Sequence, residues 1–86
     1  MRKTEAKLKS INLLVLHGPN LNLLGARQAE IYGTLTLSQI NTHLRREARN
    51  LNARLKIFQS NSEGALIDIL HQQTKWAQGV VINPAA

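Results

Sequence analysis

The chain contains no cysteine, so neither a disulfide framework nor a thiolate metal site can stiffen its fold. That absence fits a reducing compartment. Aromatic residues make up only 3% of the 86 positions, a poor supply for stacking on nucleic-acid bases. No apolar run approaches the roughly 18–20 residues of a membrane span. Residues 11–16 are too short for the apolar region of a signal peptide and run almost directly into Gly18-Pro19. A soluble cytoplasmic protein with no membrane partner is expected. Acids are also scarce: five against eleven bases, for a net charge of +6. Half of that excess lies in residues 1–10, expected to be a disordered basic tail. The rest is spread over residues such as Arg45, Arg46 and Arg49. No nucleic-acid partner is expected.

What is present is enough for one small unit, residues 11–86, with 43% hydrophobic content over the whole chain. Ile11-Asn12-Leu13-Leu14-Val15-Leu16 has the nearly continuous apolar character of a strand buried on both faces. Twenty residues rich in glycine and asparagine follow without sustained periodicity. So long a connection in a compact domain is usually functional. Thr36-Leu37-Ser38-Gln39 reads as a capping box. Leu37, Ile40, Leu44, Ala48 and Leu51 then recur at spacings of three and four, the stripe of an amphipathic helix ending near Asn50 and Asn52. Residues 55–59 read as a second, less apolar strand nearer an edge. Ser60-Asn61-Ser62-Glu63 offers another capping box, with Gly64 in the first turn of a second helix. Leu66, Ile67, Leu70 and either the stem of Lys75 or Trp76 would form its buried side, and Gly79 its stop. Val80-Val81-Ile82 is a third strand, apolar throughout as if it had neighbours on both sides. The order β-α-β-α-β argues for a parallel sheet with right-handed crossovers.

In open parallel sheets, ligands bind beyond the carboxyl ends of the strands. Those ends here are His17-Gly18-Pro19-Asn20, Gln59-Ser60-Asn61 and Asn83-Pro84. Each carries an asparagine, able to donate and to accept, which suits a polar, hydroxylated ligand. For Asn61 a helix cap is the commoner explanation. For Asn20 and Asn83, directly after strands, spacing leaves binding and simple turn chemistry equally open. No glycine-rich phosphate cradle follows the first strand. His17, His43 and His71 have no metal-like spacing and no carboxylate cluster beside them, so no metal site is expected. The long connection holds the only tyrosine, Tyr32, and Arg27 five residues earlier. A guanidinium close to a phenol favours the phenolate and makes it a base able to remove a proton beside a carbonyl. From spacing alone, a surface tyrosine near a surface arginine is the commoner case.

Four ordered motifs add to this. Leu13-Leu14-Val15-Leu16-His17-Gly18-Pro19-Asn20-Leu21-Asn22-Leu23-Leu24-Gly25 closely resembles the opening motif of type II 3-dehydroquinate dehydratases. Arg27-Gln28-Ala29-Glu30-Ile31-Tyr32-Gly33 resembles the lid of that family. Gln59-Ser60-Asn61-Ser62-Glu63-Gly64 and Ile82-Asn83-Pro84-Ala85-Ala86 resemble its next two signatures. The resemblance implies a flavodoxin-like α/β fold, a parallel sheet with helices on both faces, of which this chain would hold the first three strands. It implies a lyase that dehydrates 3-dehydroquinate to 3-dehydroshikimate by trans elimination in the shikimate pathway, without a cofactor, in a dodecamer built from trimers. Tyr32 matches the base that takes the C2 proton, and Arg27 the arginine that activates it and stabilises the transition state. Asn20 matches the asparagine holding the water that supports the enolate, and Asn83 a substrate-binding residue.

Two departures stand out. The family's lid usually reads Arg-Glu-Pro where this chain has Arg27-Gln28-Ala29, which is expected to loosen the lid while leaving both catalytic side chains. The family's general-acid histidine, its Thr-His-Thr-Ser segment and its late arginine fall beyond Ala86. The 86-residue chain is therefore expected to be an N-terminal portion, inactive alone. The alternative is a truncated, inactive α/β module that binds or assembles.

Overall fold

The computed structural model describes residues 10–25 and 33–85 of the chain. Three strands, β1 (Ile11–His17), β2 (Ala53–Gln59) and β3 (Gly79–Asn83), alternate with two helices, α1 (Leu37–Asn50) and α2 (Glu63–Gln73). A short 3₁₀ turn, Leu21–Leu23, follows β1. The strands form one parallel sheet in the order β2-β1-β3. The most apolar strand thus lies at the centre, where Leu14 and Leu16 are fully buried. Among the described residues β2 is an edge, as its mixed composition suggested.

The two helices cover opposite faces. On one, Leu14 and Leu16 pack with Leu66, Ile69 and Leu70 of α2 and with Phe58 of β2. On the other, His17 points from β1 to Asn41 of α1. This is the flavodoxin-like arrangement: α1 links neighbouring strands, whereas α2 carries the chain past β1 to its far side. Right-handed crossovers in opposite directions place their helices on opposite faces. The reversal of strand order between β1 and β3 makes their carboxyl ends the natural place for a cleft.

α1 begins as its sequence predicts. The Thr36 hydroxyl accepts from Gln39 N at 3.1 Å and the Gln39 amide oxygen accepts from Thr36 N at 2.9 Å, a complete capping box. It ends at Asn52, whose φ of 57° is the left-handed conformation asparagine tolerates. Leu51 belongs to the cap and is exposed, so the apolar stripe stops at Ala48.

α2 departs from expectation in three ways. Its cap is Ser62, which accepts from Ala65 N at 3.2 Å, and not Ser60. Ser60 N instead donates to His17 O and prolongs the β1–β2 ladder, which delays the helix by two residues. Its buried side runs through Leu66, Ile69 and Leu70, while Ile67 and Lys75 are exposed. Trp76 lies past the helix, half-buried, with Lys56 Nζ 4.5 Å from its ring centroid and also donating to Gln73 Oε1 at 3.0 Å. Gly79 is not the helix stop, because α2 ends at Gln73 and Gly79 opens β3. A Cβ there would come within 2.9 Å of Leu13 Cδ2, so glycine lets β3 approach β1.

Among the described residues β3 is the second edge of the sheet, paired only with β1. Val80, Val81 and Ile82 are 47%, 54% and 49% exposed, so it is open on both faces. No helix among the described residues is long and apolar enough to cross a membrane.

Candidate active site

The register brings His17, Gln59 and Asn83 side by side at the carboxyl end of the sheet. The three loops that leave it are tied together. Gly18 N donates to Asn83 O at 2.8 Å, and Ser60 N donates to His17 O at 3.0 Å. Asn20 N donates to the Asn61 side-chain oxygen at 2.9 Å. Gln59 is the hub, its amide donating to Gly18 O at 3.1 Å and Asn61 Oδ1 at 3.0 Å, with Asn22 Oδ1 at 3.4 Å. Asn61 is therefore not the cap of α2: its oxygen is occupied by the Asn20 loop and Gln59.

Gly18 is required where it stands. A Cβ would lie 2.5 Å from Pro84 O and 2.9 Å from Asn83 O. Only glycine lets the first loop pass so close to the third. The close approach places Asn20 and Asn83 on one rim. Asn20 is held in the left-handed conformation, φ 67°, as cap of the 3₁₀ turn. Its side-chain amide makes no hydrogen bond to another described residue. The Asn83 oxygen accepts from Ala85 N at 3.1 Å, which leaves its NH₂ as the group to donate outward. Residues 18–20, 59–61 and 83–85 are all neutral. Such a rim offers oriented donors to carbonyl and hydroxyl oxygens without placing a fixed charge beside them. No group of three or more His, Cys, Asp or Glu that could hold a metal ion occurs among the described residues.

Of the residues singled out from sequence, Asn20 and Asn83 both follow strands at the carboxyl end of the sheet, Asn20 tied to Asn61 and Asn83 to Gly18. Arg27 and Tyr32 lie outside the described residues. Two participants were named from sequence at the strand ends but given no role. Gln59 carries a weak signal, a polar amide ending an otherwise mixed strand. His17 carries none, because its partner Asn41 is 24 positions away.

Over residues 11–86 the chain matches the family model for dehydroquinase class II. The chain belongs to the class II dehydroquinase family. It is 51% identical over 75 residues to 3-dehydroquinate dehydratase of Trichodesmium erythraeum, a match covering 87% of this chain and 50% of that protein. To the enzyme of the same name from Acinetobacter baylyi it is 53% identical over 78 residues, covering 90% of this chain and 52% of that protein. Among solved structures, the type II dehydroquinase of Butyrivibrio crossotus superposes with a TM-score of 0.85 at 36% identity, over 90% of this chain and 54% of that one. That of Propionibacterium acnes gives 0.80 at 38% identity, over 88% and 52%. The chain spans about half the length of the relatives it matches. For this dehydroquinase family member, the sheet and its two helices are thus shared with solved relatives at the level of the fold.

Proposed function

We propose that this chain supplies the base-bearing part of a 3-dehydroquinate dehydratase, which removes water from 3-dehydroquinate to give 3-dehydroshikimate. The observation that carries the reading is the neutral rim of Asn20 and Asn83, held together by Gln59 and Gly18, in a chain of the dehydroquinase family. An elimination beside a ketone needs a base at the α-carbon, support for the enolate oxygen and a proton for the departing hydroxyl. Tyr32 takes the C2 proton. Arg27 favours its phenolate and opposes the charge that develops in the transition state. Asn20 holds a water against the enolate oxygen, and Asn83 donates to the substrate. The enolate then collapses to the conjugated ketone as the β-hydroxyl leaves with a proton from an acid outside the residues assigned here. On the same resemblance, the whole protein works in the cytoplasm without a cofactor, as a dodecamer built from trimers.

The test is the ultraviolet absorbance rise of the enone product when the protein of the full reading frame meets 3-dehydroquinate, with the 86-residue chain assayed beside it. Steady turnover by the former is expected. No turnover by a folded full-length protein would overturn the reading.

A further inference from the structure

Among the described residues, His17 is the one buried polar side chain, 6% exposed. The elimination proposed above gives it no task. Its ring leaves the sheet on the α1 side, and Nε2 lies 2.9 Å from Asn41 Oδ1. An amide oxygen only accepts, so Nε2 carries the hydrogen, and in the neutral ring Nδ1 carries none. A buried polar pair adds little net stability compared with apolar groups of the same shape. What it adds here is direction. Apolar contact is non-directional and by itself tolerates sliding along a helix axis. A short, aligned hydrogen bond does not.

The position of that bond gives it a consequence. His17 stands in register with Gln59 and Asn83, one residue before Gly18, at the centre of the rim. Asn41 lines a groove of about 660 Å³ beside the 3₁₀ turn, with Asn22 on one side and Ser38, Thr42 and Arg45 on the α1 side. We propose that His17 is a positioning residue: through Asn41 it fixes where α1 stands along the end of β1. It thereby sets the spacing between the α1 wall of this groove and the Asn20–Asn83 rim. The kinetic consequence rests on the dehydratase reading; the geometry does not.

The experiment uses the protein of the full reading frame and the variants His17→Leu, Asn41→Leu, the double variant and His17→Gln. Displacements near 1 Å can cost up to about a hundredfold in rate. Each leucine variant should therefore lose about tenfold or more in kcat with a much smaller change in KM. The double variant should be no slower than the worse single variant, because the two residues act as one unit. Glutamine places an amide N–H near the position of Nε2, so His17→Gln should recover most of kcat. In the wild-type protein, ¹⁵N spectra should show His17 protonated at Nε2. Additive losses, a leucine variant with wild-type kcat, or glutamine no better than leucine would each overturn the proposal. So would a neutral His17 protonated at Nδ1, a readout that decides the matter even if the leucine variants do not fold. If the wild-type protein folds but does not turn over 3-dehydroquinate, the dehydratase reading fails, while the ¹⁵N result still decides the geometry.

Discussion

Gly18 serves the candidate site by its lack of a side chain, whereas Tyr32 is proposed to serve it by reactivity. In the protein of the full reading frame, Tyr32→Phe should lower kcat by about 10²–10⁴, the usual contribution of a general base. Near wild-type kcat in a folded variant would remove Tyr32 from its role. Arg27→Ala should reduce kcat more than it raises KM, because its proposed role is to oppose charge that develops in the transition state. Lysine should rescue that loss only in part, since it lacks the planar fork. Gly18→Ala acts differently: its methyl group would meet Pro84 O at 2.5 Å. Backbone cannot give way as a side-chain tip can, and overpacking of this kind costs about 1–3 kcal/mol. Denaturant unfolding measures it, and an unchanged midpoint would mean that the β1–β3 loops separate freely. The places of Asn20 and Asn83 beyond the ends of their strands were legible in the sequence, because the strands that carry them could be read. The hydrogen bonds of Gln59 and His17 were not, because their partners come from elsewhere in the chain.

The helices show where local chemistry suffices and where it does not. Thr36 and Gln39 satisfy each other's orphan amides within four residues, so the start of α1 could be read directly. Thr36→Ala should cost about 1 kcal/mol in a thermal or denaturant melt, with faster hydrogen exchange at the Gln39 amide. The start of α2 could not be read in the same way. Ser60 and Ser62 are both acceptable caps by sequence, and the choice is made by β1. His17 O takes the Ser60 amide into the ladder and leaves Ser62 to cap the helix. Ser62→Ala should therefore cost about 1 kcal/mol, and Ser60→Ala clearly less. The reverse order would restore the capping box expected from sequence. The buried face of α2 shifted for a related reason. Helical spacing admits Ile67 or Ile69, and only the position of Leu14, Leu16 and Phe58 decides in favour of Ile69.

At the scale of the whole molecule, the feature with the largest physical consequence is the outer edge of β3. Val80, Val81 and Ile82 are each about half exposed, on a strand paired on one side only among the described residues. Such an edge invites pairing with other chains. The 86-residue chain alone should self-associate with rising concentration in analytical ultracentrifugation. Val81→Lys should shift it towards smaller species, because a charge on an apolar edge opposes pairing. An ideal monomer at high concentration would show that the edge is covered. The alternation of apolar runs and amphipathic spacing determined the five regular elements and their order, since burial patterns with periods near 2 and 3.6 are local properties of the chain. The motifs likewise determined the family. The tertiary structure alone decided which loops are tied together at the rim and which serine caps α2. Those outcomes depend on the parallel register of β1 with both neighbours, and register is set by packing between residues far apart in sequence.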